Sequence, residues 1–167
     1  VETVLHSFGA TSTDGIYPNG LILGTNGNLY GTTISGGTTS SFSGTFFEIT
    51  LGGAETVLYS FGATRADGMY PNDLIPGADG NFYGTTHSGG ANTCLETPNS
   101  CGTAFEITPE GVETVLYTFG ATSADGIYPD GLVLATDGTL YGTTTYGGTN
   151  TCPRLSVTCG TVFKITP

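Results

Sequence analysis

Apolar and polar residues alternate with a period of two in short runs separated by Gly-rich turns, most clearly across residues 102–120, GTAFEITPEGVETVLYTFG. Phe105 and Ile107 alternate on one side of Pro109-Glu110-Gly111, and Val115, Tyr117 and Phe119 on the other. Two such runs joined by a short turn predict a β-hairpin. The same hairpin occurs earlier as GTFFEITLGGAETVLYSFG, residues 44–62. A third copy is split, with VETVLHSFG opening the chain and GTVFKITP closing it, so each end carries half of one hairpin.

Aligning Glu2-Thr3-Val4-Leu5 with Glu55-Thr56-Val57-Leu58 and Glu113-Thr114-Val115-Leu116 divides the chain into repeats at residues 1–53, 54–111 and 112–167. Four strand signals are read in each. The first is ETVL and its following aromatic; a polar turn holds Asp14-Gly15, Asp67-Gly68 or Asp125-Gly126 and then Tyr-Pro. The second is Leu21-Ile22-Leu23 or its counterparts, closed by Asn26-Gly27, Asp79-Gly80 or Asp137-Gly138, which are hairpin-turn dipeptides. The third begins at Leu29, Phe82 or Leu140, and the fourth ends in Glu-Ile-Thr or Lys-Ile-Thr. Between the third and fourth lies a variable insertion of the kind that maps to a surface loop, short in repeat one at Thr38, Thr39, Ser40, Ser41, Phe42 and Ser43. No window sustains a 3.6-residue period, so the chain is predicted all-β: three tandem four-stranded antiparallel repeats resembling β-propeller blades. Three blades do not close a ring. The repeats therefore form an open array or part of a larger assembly.

Composition narrows the functions. With 3 Lys+Arg against 14 Asp+Glu the formal net charge is −11, which excludes a basic footprint for nucleic acid and electrostatic attachment to anionic lipid. No apolar run approaches the roughly 20 residues of a membrane-spanning helix, so the chain reads as soluble. The absence of an initiator Met and of a secretion signal suggests a processed protein or a segment of a longer one. The 4 cysteines form two equally spaced pairs, Cys94 with Cys101 and Cys152 with Cys159, each inside a polar insertion. Zinc sites use shorter spacings, and neither His6 nor His87 lies near the pairs in sequence, so two local disulfides are expected, and with them an extracellular or cell-surface location.

The motifs DGNFYGTTHSGG, GTAFEITPEG and ETVLYSFGA, recurring in one order along the whole chain, resemble the Gloeo/Verruco repeat of bacterial choice-of-anchor tandem-repeat proteins. The resemblance implies a secreted bacterial repeat protein held at the cell surface by a separate C-terminal anchor. It supplies no catalytic residues to carry over.

Asp14, Asp67 and Asp125 recur once per repeat, which favours turn chemistry over calcium, whose EF-hand and nonapeptide spacings they do not match. His6 and His87 stand where the other repeats carry Tyr59 and Tyr117, or Ile34 and Thr145, and no recognisable triad surrounds them. No catalytic residue, metal or cofactor is assigned, and the chain is read as a non-enzyme. Tyr17, Tyr70 and Tyr128, each followed by Pro, favour packing, with a weak sugar-stacking platform as the rival; Thr-rich loops are compositional candidates for glycosylation. The reading is an extracellular structural protein, assembling head to tail with further copies of itself by β-strand complementation into a surface fibre or array. The strands meeting at that contact carry Val1, Val4, Leu5 and Phe8 from one copy and Val162, Phe163 and Ile165 from another. The alternatives are a propeller-like carbohydrate-binding module or adhesin, partnered by glycans, and a segment of a larger propeller.

Overall fold

A computed structural model describes residues 1–39, 43–94, 101–153 and 157–167. The tip of the first Thr/Ser loop and the interiors of both cysteine insertions lie outside the described residues, so of the glycosylation candidates Ser40 and Ser41 fall outside while Thr38, Thr39, Ser43, Thr149 and Thr151 are described. Every regular element among the described residues is a strand. The first sheet holds β1 (Gly15–Leu23), β2 (Leu29–Gly36), β3 (Thr45–Ile49) and β4 (Glu55–Ser60), in that order and antiparallel throughout. The second holds β5 (Gly68–Pro71), β6 (Ile75–Pro76), β7 (Phe82–Gly89), β8 (Thr103–Ile107) and β9 (Glu113–Thr118), with β5 and β6 both pairing β7 in the place that β1 fills as one strand. The third stops at three: β10 (Gly126–Leu134), β11 (Leu140–Gly147) and β12 (Thr161–Ile165).

The two complete hairpins form as their alternation predicts, β3 with β4 and β8 with β9, each with a register shift after its second pair. The sheets hold four, five and three strands where four per repeat were expected, and two further features differ from the sequence expectation. The ETVL strand that opens the second and third repeats is the edge strand of the preceding repeat's sheet, because its ladder partner is the GTxFEIT strand just before it. Residues 1–8, expected as a strand, adopt no regular structure. A strand is defined by its ladder, and no described strand pairs with this segment.

The segment is nonetheless placed like one. Phe8 meets Phe47 edge to face at 4.9 Å, as Phe61 meets Phe105 at 5.2 Å and Phe119 meets Phe163 at 4.8 Å. Each ETVL segment thus lays its closing Phe on the sheet that follows. The main core cluster lies between the first two sheets and contains Tyr30, Phe46, Phe61, Leu74, Phe82, Phe105 and Ile107.

Gly84 sits in mid-strand, where Gly ordinarily weakens a ladder, and the reason is space. A Cβ there would lie 2.6 Å from Phe105 Cζ and 2.9 Å from Leu74 Cδ2. Gly31 and Gly142 stand under Phe47 and Phe163 in the same way. Forcing a side chain into such a contact costs about 1–3 kcal/mol through displaced neighbours. Gly84→Val is expected to lower the melting temperature by several degrees, whereas Ser123→Val on an exposed loop leaves it within about a degree. Equal melting temperatures for the two variants would contradict the close-packing role.

Candidate functional site

Each sheet begins at a buried or half-buried Asp that closes the preceding loop. Asp14 Oδ2 accepts from the Gly9 and Ala10 amides at 2.7 and 3.1 Å. Asp67 Oδ2 accepts from the Ala63 amide and the Tyr59 hydroxyl, and Asp125 Oδ2 from the Ala121 amide and the Tyr117 hydroxyl. This is the turn role that one Asp per repeat predicts. Sequence reasoning missed the partner. The residue eight positions earlier is His6, Tyr59 or Tyr117, and that constant offset from Asp is the signal that could have revealed it.

A second carboxyl approaches from the next ETVL strand. Glu55 stands near Asp14 and Glu113 near Asp67, and burial beside the neighbouring carboxylate raises both acids above the usual range, Glu113 to about 7. His6, Asp14 and Glu55 line one end of a cleft of about 840 Å³.

The sheets are joined through the Tyr-Pro dipeptides, which sit inside the first strand rather than in a turn. Tyr17, Tyr70 and Tyr128 have φ of 60°, 57° and 55°, a conformation uncommon for bulky residues and disfavoured further by a following Pro. At the two internal joints this kink is held by the sheet before. The Tyr70 amide donates to the Ser43 carbonyl at 3.0 Å and the Tyr128 amide to Cys101 at 2.9 Å. Pro71 and Pro129 are buried, their rings over Gly44 and Gly102; a Cβ on Gly102 would lie 2.4 Å from Pro129 Cδ. Asn19 and Asn72 donate to the Pro71 and Pro129 carbonyls at 2.8 Å, while Thr32 and Thr85 donate to the Asn72 and Asp130 carbonyls. Tyr128 also stacks on His87 at 4.4 Å and 9°. The packing expected of these tyrosines is found at positions 70 and 128, which are half-buried joint residues, whereas Tyr17 is exposed.

At the two outer faces the same positions lie open. Leu21 is 54% exposed, against 6% for both Leu74 and Leu132. Pro18 and Thr143 are exposed where Pro71, Pro129, Thr32 and Thr85 are buried. Val162 on the free edge of β12 is 79% exposed, against 0% for Phe46 and Ala104 at the equivalent places. Val4 and Leu5 are exposed, while Phe8, Phe163 and Ile165 are partly covered. The cysteine pairs follow the same contrast. Cys94 and Cys101, with Cα atoms 5.5 Å apart at disulfide distance, are buried with Phe119 and Ile127 at the second joint. Cys152 and Cys159, 5.2 Å apart, have no following sheet, and Cys159 is exposed.

The raised Glu113 carries a pH signature. The folded chain keeps its proton up to about pH 7, whereas the unfolded chain releases it near 4.5, so folding takes up a proton between these values. Stability contributed by the neutral acid is present below about 4.5 and is lost as the pH rises through 7. Glu113→Gln is expected to flatten the fall in melting temperature between pH 5 and 7.5 and to raise stability above pH 7. Calorimetric scans with the same pH slope for both proteins would contradict this.

No curated protein matches the sequence. Among solved structures, one provisionally described as a gluconolactonase superposes with a TM-score of 0.53 at 16% identity, covering 89% of this chain and 49% of that one. That similarity concerns the fold, which is all-β and propeller-like, and this chain spans about half the length of its neighbour. The profile of the Gloeobacter/Verrucomicrobia repeat matches residues 1–167. With three copies of one strand pattern joined by one kind of contact and a match over its full length, the chain belongs to the Gloeobacter/Verrucomicrobia repeat family.

Proposed function

We propose that this protein is a non-enzymatic structural repeat unit whose sheets add head to tail, the open face of the third sheet in one copy receiving the first sheet of the next. The observation that carries the reading is the complementarity of the two outer faces. Each lacks the half of the joint that the other displays. In the proposed contact β12 pairs with residues 1–8 of the next copy, as β3 pairs with β4. The Tyr17 amide meets the Cys159 carbonyl, Pro18 covers Gly160, and Thr143 reaches the Asn19 carbonyl. Each of these reproduces a bond or contact made at both internal joints.

Unpaired strand edges are templates for addition. Covering Val4, Leu5, Tyr17, Leu21, Val162 and their neighbours contributes about 5–10 kcal/mol gross, at about 1.5–3 kcal/mol per fully buried side chain and with burial incomplete. Association costs of about 4–15 kcal/mol offset much of this, so assembly depends on concentration. Two cysteine pairs at disulfide distance and the scarcity of Lys and Arg fit an extracellular material. A heterologous contact propagates as an open array unless its rotation closes. The second reading is such a closure: the propeller-like neighbour is about twice this chain's length, which favours two copies sharing one ring.

Size-exclusion chromatography with light scattering, followed by electron microscopy, tests both. Filaments support the array, discrete two-copy rings the closed form. Val162→Lys, on an exposed edge, and deletion of residues 1–8 are each expected to leave folded monomers. A wild-type protein that stays monomeric at several hundred micromolar, or a Val162→Lys protein that assembles unchanged, would overturn head-to-tail addition.

A further inference from the structure

The cleft between residues 1–14 and β4 holds the same Asp and Glu as its counterpart in the second repeat but a different side chain beside them. In the second repeat Tyr59 donates to Asp67, and Glu113 stands beside that pair as a carboxyl with a raised proton affinity. In the first repeat the Tyr position is His6, so a hydroxyl donor is replaced by an imidazole nitrogen capable of ligating a metal. His6 Nε2 lies 3.6 Å from Asp14 Oδ2, too long for a hydrogen bond. His6 Nε2, Asp14 Oδ1 and Glu55 Oε1 are buried atoms without hydrogen-bond partners. Asp14 itself is only 7% exposed, and one ligand atom from each of the three residues lies within 4.8 Å of the others.

We propose that His6, Asp14 and Glu55 bind one divalent cation of the zinc type. Buried polar atoms are nearly always partnered. Asp67 Oδ1 and Glu113 Oε1 are unpartnered in the second repeat too, so what sets this cleft apart is the His6 nitrogen, unpartnered and grouped with two carboxyls whose ligand atoms lie within 4.8 Å. The donor set is one nitrogen and two anionic oxygens. A borderline-soft ion accepts this combination, whereas calcium and magnesium prefer oxygen alone. A tetrahedral ion with bonds of roughly 2.0–2.2 Å sets its ligands about 3.4 Å apart, so separations of up to 4.8 Å close by up to about 1.4 Å, chiefly through the longer Glu55 side chain. The cleft leaves the fourth position to water. Asp14 remains anchored because its other oxygen accepts the Gly9 and Ala10 amides, an outer hydrogen-bond frame of the kind that fixes metal ligands.

The bound ion would tie the opening segment to β4 through His6 and Glu55, two elements that share no ladder. All three ligands come from one chain, but His6 lies in the segment that pairs with β12 of another copy in the assembly proposed above, so metal binding is measured on the full chain with residues 1–8 in place.

Chelator-treated protein titrated with zinc chloride by calorimetry tests the proposal, alongside His6→Tyr, Glu55→Gln and His87→Gln. His6→Tyr installs the side chain that the other repeats already carry beside their Asp, and circular dichroism verifies that each variant is folded. One equivalent of zinc is expected in the wild type and in His87→Gln, with at least tenfold weaker binding in His6→Tyr and in Glu55→Gln. X-ray absorption is expected to report one imidazole nitrogen in the shell. Absence of stoichiometric binding by the wild type, unchanged affinity in folded His6→Tyr, or calcium binding as tight as zinc would overturn the proposal.

Discussion

The structure depends on one joint, repeated: a Tyr in the left-handed region followed by a Pro that lies flat over a Gly of the sheet before. The strained backbone at Tyr70 and Tyr128 persists because the surroundings hold it, through an amide bond to the preceding sheet, a buried ring and the flanking Asn and Thr hydrogen bonds. Side chains with few charges suffice here, since main-chain groups make much of the contact. The aromatic core then fills the space that the joint sets, with Phe61 on Phe105 and Phe119 on Phe163 carrying the contact onto the next sheet.

Because the joint is mostly backbone, it tolerates changes at neighbouring positions. The residue whose carbonyl receives the Tyr amide is Ser43 at one joint and Cys101 at the next, and the side chain beneath the joint is Phe46 in one sheet and Ala104 in another. Where Ala104 leaves room, the Cys94–Cys101 pair fills it. The variation is thus a trade of volume around a fixed frame, which explains how the disulfide-bearing and shorter loops serve one architecture.

Much of this was legible in the sequence. The hairpins were, because Phe105, Ile107, Val115 and Tyr117 alternate on either side of the Pro109-Glu110-Gly111 turn. The close approach under Gly84 was also legible, since Gly in a strand requires a spatial reason. The phase of the sheets was not: a period of two says that ETVL is a strand but not whether it closes the sheet before or opens the sheet after. The Tyr-Pro joints were read as turns because Pro and a polar flank suggest one, and the pairing on both sides of the register shifts between Pro18 and Leu21 and between Pro129 and Leu132 shows the strand continuing past the kink. The His6–Asp14–Glu55 cluster draws on two repeats at once, so aligning each repeat with the others conceals the neighbours that meet across their boundary.

Each repeat contributes its opening strand to the sheet of the repeat before it, so the unit copied in the gene and the unit that folds are out of step. A duplicated segment brings the strand that seals its predecessor and leaves its own last sheet to be sealed by its successor. Such an array can lengthen or shorten by recombination in whole repeats without creating an orphan in its interior. Any unsealed edge is then confined to the two extremes of the array.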